Sequence, residues 1–230
     1  MTRQKDDLAP ASGLAHQRVY EALRNALIGG QFVPGRGVTL RGLAQDLGVS
    51  PMPVREAIRR LEAERALEIG GNRRVYVPQM TRAKFDELVL ARCLLEPEAA
   101  VRAMPLIDEM AVRNLKTIDE TIDEAIARGD ADAYVHGNHA FHFTIYRTAE
   151  SPVLVPLIEG LWLQFGPFMR TVYGRLGTAN VVDHHVATLA ALRAGDEKAL
   201  RAAIRDDILD GMNLIGNMLL EQDGKAGQRT

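Results

Sequence analysis

The segment SPMPVREAIRRL, residues 50–61, sets a serine, two prolines and three arginines on what reads as one short helix. Its chemistry is that of an anion receptor. The first N–H groups of a helix have no intrahelical acceptor, so Pro51 and Pro53 give up donors that were unpaired anyway. Both prolines also preset the backbone at the entry. The N–H groups that remain point outward, where a phosphate is favoured. Ser50 is placed to cap this turn and to touch a phosphate. Val54, Ile58 and Leu61 form a buried stripe, while Arg55 and Arg59 project from its flank and Arg60 follows. Histidine is the second concentration of chemistry. His136, His139 and His142 fall in YVHGNHAFH, and His184 and His185 in DHHVATL. Imidazole is suited to proton transfer and to metal ligation.

These residues need elements to hold them. Apolar residues recur at helical spacing from Ala15 to Ile28, and GGQFVPGRG then breaks the helix. Thr39 can cap a short helix over LRGLAQDL, closed by Gly48. After the arginine helix, LEI and RVYV read as strands joined by GGNR, a hairpin with an arginine at its tip. Helix, short helix, turn, helix and hairpin make a winged helix-turn-helix, whose third helix enters the major groove of DNA. From residue 80 onward the patterning is helical with no strand alternation. The fold class expected is mainly α: an N-terminal winged helix-turn-helix plus a C-terminal antiparallel all-α bundle. The expected divisions are a flexible arm over 1–12, the DNA-binding domain over 13–78, a linker over 79–82, the bundle over 83–222 and a flexible tail over 223–230.

Composition agrees with this division. The chain has 230 residues, enough for two modest domains. Residues 1–80 hold 12 Lys and Arg against 8 Asp and Glu, and residues 81–230 hold 16 against 22. A basic head and an acidic body suit a polyanion partner at the head alone. The single cysteine, Cys93, excludes an intramolecular disulfide and a cysteine-based zinc finger. The polar N-terminus lacks the apolar core of a secretion signal, and no stretch is apolar enough to span a bilayer. A soluble cytoplasmic protein without membrane association, at the nucleoid when bound to DNA, is the expectation. Cys93, Trp162 and the cluster Phe165, Phe168 and Tyr173 read as packing residues.

The runs VYEALRNALIGGQFVPG, LRGLAQDLGVSPMPVREAIRRLEAE and NRRVYVP resemble the head of the GntR family of bacterial transcription regulators. ARCLLEPEAA, NHAFH and HVATLAALRAGD resemble the body of its FadR subgroup, which carries the FCD effector domain. The resemblance spans about residues 15–220. It implies that Arg41 and Arg55 contact DNA, that Ser50 combines capping with a phosphate contact, and that Arg59, Asn72 and Arg73 are further candidates. Two positions depart from the family pattern. Pro51 stands where the family commonly has Arg, and Arg74 where the wing commonly has Gly. Met52 is then a candidate to meet a thymine methyl.

The same resemblance implies a metal site. The family pattern sets an Asp four residues before a His, with two later His. The matching positions here are Asn138, His142, His185 and Asp207, so an Asp has become Asn at one corner and a His has become Asp at another. Two imidazoles and one carboxylate suit Zn²⁺, Ni²⁺ or Mn²⁺; a metal-free polar network for an organic ligand is the alternative. Arg92 lies on the apolar stripe of the first bundle helix and matches the family arginine of R-x-x-L-E. It either clamps an effector carboxylate or pairs with Glu96. The reading as a whole is a homodimeric, metabolite-responsive regulator and not an enzyme. It binds a pseudo-palindromic double-stranded operator, most simply as a repressor, with a small organic acid as effector. A metal-dependent enzyme in the bundle and an effector-free DNA binder stay open as alternatives.

Overall fold

The computed structural model describes residues 9–71, 73–176 and 184–226. The head is built from α1 (Ala9–Ile28), β1 (Val38–Thr39), α2 (Leu40–Asp46), α3 (Pro51–Ala63), β2 (Glu68–Ile69) and β3 (Arg74–Tyr76). The body follows as α4 (Arg82–Ala103), a 3-10 turn (Met104–Leu106), α5 (Glu109–Arg128), α6 (Ala131–Thr148), α7 (Leu154–Leu176), α8 (His185–Ala194) and α9 (Glu197–Ala226). The architecture is the mainly α one read from the sequence. Among the described residues no strand follows Tyr76.

In the head, Leu23 and Leu27 of α1 bury against Val54, Ile58 and Leu61 of α3, the stripe expected from spacing. The hairpin has one more strand than expected. β1 pairs antiparallel with β3, Val38 opposite Val75, and the sheet order is β1-β3-β2. Arg73, at φ +60°, carries the left-handed turn of the hairpin tip. Its N–H returns to the Gly70 carbonyl at 2.9 Å.

Helix ends in the body follow side-chain chemistry. Thr81, Asp108 and Asp130 each accept the backbone N–H three residues on, starting α4, α5 and α6. Gly129 and Gly195 end α5 and α8 in the left-handed conformation. The buried stripe of α4 runs Phe85, Leu88, Arg92, Glu96, Ala99 and Ala103, so it takes in a charged pair. On α5 it runs Val112, Leu115, Asp119, Ile122 and Ala125, with an acid on the apolar line.

Three boundaries differ from the sequence reading. α1 is already helical at Ala9, inside the expected arm, because Pro10 sits in the first turn where its missing N–H is harmless; residues 1–8 lie outside the described residues. Arg82 belongs to α4 rather than to a linker, since Thr81 caps the helix there. α9 continues to Ala226, into the expected tail, and 227–230 lie outside the described residues.

Candidate DNA-reading surface and ligand chamber

The head leaves a row of cations uncovered. Arg41 in the first turn of α2, Arg55 and Arg59 on α3 and Arg73 at the hairpin tip are all exposed. Asn72 lies outside the described residues. Among the described residues Arg59 pairs with its neighbour Glu56, at 3.3 Å, an exposed contact of the kind that contributes little. Met52 is exposed at the start of α3, in position to reach an apolar base edge. Arg60 has a different task. Its guanidinium lies 3.6 Å from the Tyr20 ring centre and its Nε meets Glu64 at 3.2 Å, while Tyr20 donates to both Glu64 oxygens. Arg60 therefore braces α3 against α1.

Ser50 corrects the sequence reading. It occupies the N-cap position of α3, but its hydroxyl makes no capping hydrogen bond. A cap oxygen normally accepts from the second or third helical residue. Here the third is Pro53, which has no N–H, and the N–H of the second, Met52, is not taken. The hydroxyl is exposed at the helix N-terminus.

In the body, α6, α8 and α9 bring three of the expected ligands together. Single donor atoms of His142, His185 and Asp207 all lie within 4.8 Å of one another. His142 Nε2 is 3.0 Å from Asp207 Oδ2, and His185 Nε2 is 4.0 Å from Asp207 Oδ1. Both imidazoles are wholly buried. Asn138, one turn before His142, lines a cavity beside Asp207 together with Arg92, Tyr134 and Gly211. The cavity measures about 20 Å³, room for about one water.

Groups further out set the state of each donor. Tyr146 donates to Glu96 at 2.9 Å, and its oxygen stands 3.1 Å from His142 Nδ1. Burial and the adjacent Glu96 push the Tyr146 phenol well above its ordinary pKa, so it stays a donor. Its oxygen is then an acceptor facing His142 Nδ1, which leaves His142 Nε2 directed at Asp207. His185 Nδ1 meets Asp119 Oδ1 at 2.9 Å, which likewise turns Nε2 toward Asp207. Burial alone would raise the Asp207 pKa. The charge and contact of His142 outweigh it, aided by His185 and the His184 backbone N–H, and hold the carboxyl well below its usual range. A buried carboxylate with two imidazole Nε2 atoms turned toward it is the donor set of a divalent metal, which would take the place of the imidazole protons, so the residues present fit the ion.

Arg92 lies at the edge of this chamber. Nε and Nη2 take Glu96 in a fork, at 2.5 and 3.3 Å, while Nη1 faces Met212 Sδ at 3.4 Å. Burial works against its charge, but Glu96 more than compensates and raises the guanidinium pKa. Glu96 also accepts from Trp162 Nε1 at 3.0 Å, so Trp162 is a donor as well as a packing residue. Sequence reasoning missed Asp119 and Tyr146. An acid on the apolar line of α5, and a tyrosine four residues after His142, were the available signals.

Comparison with known proteins covers both units. Residues 15–77 match the bacterial regulatory proteins of the gntR family, and residues 87–210 match the FCD domain. The HTH-type transcriptional regulator McbR of Escherichia coli is 29% identical over 192 residues, 82% of this chain and 87% of its own. The gluconate operon transcriptional repressor of Bacillus subtilis is 25% identical and covers 96% of this chain and 95% of its own. A solved structure of E. coli McbR/YncC superposes with a TM-score of 0.84 at 27% identity, over 89% of this chain and 98% of that one.

Proposed function

Because the chain belongs to the gntR family of bacterial regulatory proteins and carries an FCD domain, it is a DNA-binding transcription regulator, and we propose how it works. It is a homodimeric repressor whose two heads read the half-sites of a pseudo-palindromic operator. Arg55 reads a base edge, Arg41, Ser50, Arg59, Asn72 and Arg73 hold the backbone, and Met52 meets a thymine methyl. The observation that carries this reading is α3 itself. Its apolar stripe is buried while its proline-led N-terminus and Arg55 stand free. A duplex target places the protein in the cytoplasm, at the nucleoid when bound.

The dimer face lies on α4 and α7, which pack side by side. Leu90 and Leu94 on α4 and Leu157 on α7 are 60%, 64% and 54% exposed, apolar side chains that a second copy would cover.

His142, His185 and Asp207 would hold a divalent ion such as Zn²⁺, Ni²⁺ or Mn²⁺, with Asn138 beside them. The bound ion supplies a Lewis-acid centre with positions open to water or to a carboxylate. Nη1 of Arg92, which faces the weak acceptor Met212 Sδ, would turn to the far side of a small organic acid. A cavity of about 20 Å³ cannot take such an acid without widening, so the acid binds a wider state and draws the protein toward it. That differential affinity releases the operator.

The test is a thermal-shift screen of sugar acids, dicarboxylates and amino acids with zinc or with chelator, followed by operator release with each hit. An acid that raises the melting temperature and loosens DNA sustains the reading. The small cavity favours a second reading, in which the cation alone is the signal. In that case zinc shifts the melt and no acid does.

A further inference from the structure

Head and body of this chain are joined by more than the connection between β3 and α4. α1 crosses α7 so closely that Gly166 has no room for a side chain. A Cβ there would stand 2.8 Å from Ile28 Cα and 3.0 Å from the Ile28 carbonyl oxygen. Both obstacles are backbone, which cannot swing aside as a side chain can. Just beyond, α1 ends in Gly29 and Gly30. Gly29 lies under the His136 imidazole of α6, where a Cβ would meet Nε2 at 2.7 Å, and Gly30, at φ +67°, lies against Arg170 Cβ of α7. The last turn of the head's first helix is thus wedged between two helices of the body.

A shared carboxylate closes the wedge. Glu159 of α7 forms an ion pair with Arg24 of α1 at 2.9 Å and accepts a hydrogen bond from Arg147 of α6 at 3.1 Å. Arg24 and Glu159 keep only 15% and 23% of their side chains in solvent, so this contact is screened less than an exposed pair. Arg170 and Asp132 tie α7 to α6 on the other flank of the wedge. One jaw of this clamp is α6, the helix that also carries Asn138 and His142.

We propose that Glu159 is a positioning residue for operator binding: with Gly166 it clamps the end of α1 between α6 and α7, and so fixes the orientation in which α3 is presented. Two half-sites are read together only when two heads stand at matching spacing and angle. The clamp sets that angle within each protomer, and a shift of α6 reaches the head through α1. The operator role rests on the dimeric reading above; the clamp does not.

The clamp is tested by distance measurement between spin labels at Ile69→Cys on the hairpin and Met110→Cys on α5. Cys93→Ser is the background, and labelled chains are diluted with unlabelled ones. The parent gives one narrow distance. Glu159→Gln broadens it, Glu159→Asp keeps it narrow, and Gly166→Val shifts it. A broad distribution in the parent, or one unmoved by both Glu159→Gln and Gly166→Val, overturns the clamp.

The operator role is tested on duplexes that the protein retains from its own genome, cut to one or two half-sites. Glu159→Gln loses affinity for the two-half-site duplex while its single-half-site affinity stays at the parent value. Equal loss on both duplexes means that Glu159 merely stabilises the head, and overturns the positioning role. A parent that binds both duplexes alike overturns the dimeric reading and the operator role with it, and the label distances then decide the clamp alone.

Discussion

His185 on α8 and Asp119 on α5 meet at 2.9 Å, Nδ1 to Oδ1, both turned inward from different helices. The contact fixes the tautomer of an imidazole whose other nitrogen faces Asp207. Loss of such an outer partner typically lowers metal affinity by about 10–100-fold. Asp119→Ala is therefore expected to weaken zinc binding by that factor, and His185→Ala to weaken it further. Competition titration with a chromophoric chelator measures both. Equal zinc affinity in Asp119→Ala and the parent removes Asp119 from the site.

An ion held by the folded chamber and not by the unfolded chain stabilises the fold. At one hundred times its dissociation constant the gain is about 2.7 kcal/mol. For a chain of this size that raises the melting temperature by about 5–10 °C. Protein purified without a His tag should show the rise on adding zinc, lose it with chelator, and show none as His142→Ala.

Glu96 is wholly buried and takes hydrogen bonds from Arg92, Tyr146 and Trp162. Removing one partner of a buried ion pair costs about 3–5 kcal/mol, because the other charge stays behind unpaired. Glu96→Ala should lower the melting temperature by on the order of 10 °C. Glu96→Gln, whose single oxygen keeps an acceptor for Trp162 or for Tyr146 but not for both, should fall between it and the parent in calorimetry.

Arg55 and Arg41 separate two kinds of DNA contact. Arg55→Ala should cost about 1–3 kcal/mol of operator affinity and relax specificity at one base position. Arg41→Ala should weaken all duplexes alike and reduce the log–log salt slope by about 0.9. Both side chains are exposed, so melting temperatures should not move. Filter binding at several salt concentrations distinguishes the two patterns.

Tyr20 links stability to alkaline pH. Partial burial and the hydrogen bond to Glu64 push its phenol up to about 12 from 10.0. A folded-state pKa above the unfolded one means that the contribution is complete below pH 10 and is lost as pH rises toward 12. Tyr20→Phe should flatten the alkaline limb of the stability profile and leave its neutral region nearly parallel to the parent. A limb of unchanged slope would place the titrating group elsewhere.

The parts legible in the sequence were those governed by local rules. Prolines at a helix start, capping Thr and Asp residues, and the 3.6-residue stripe of α3 all act within a few residues of themselves. β1 escaped because Val38–Thr39 becomes a strand only by pairing with Val75 and Arg74, far along the chain. Ser50 misled because the cap rule offers two donors and the sequence had already removed one: Pro53 has no N–H, which leaves Met52 alone, and the hydroxyl does not take it. In the chamber, His142, His185 and Asp207 followed from family spacing. The Arg92–Glu96 pair, one turn apart on α4, was legible too. Asp119 and Tyr146 act across helices, so a stripe read one helix at a time shows only that a polar group faces inward. The docking of α1 on α7 was likewise hidden, because Gly166 has meaning only once Ile28 lies against it.

His142 and His185 have no solvent-exposed surface, whereas Asp207 keeps a tenth of its side chain in solvent. An ion held by the three would have two donors sealed and one near water, so among the described residues Asp207 marks the side from which it would exchange. Loading and release would then depend on how freely the side chains around Asp207 move, and would be slower than at an open surface site.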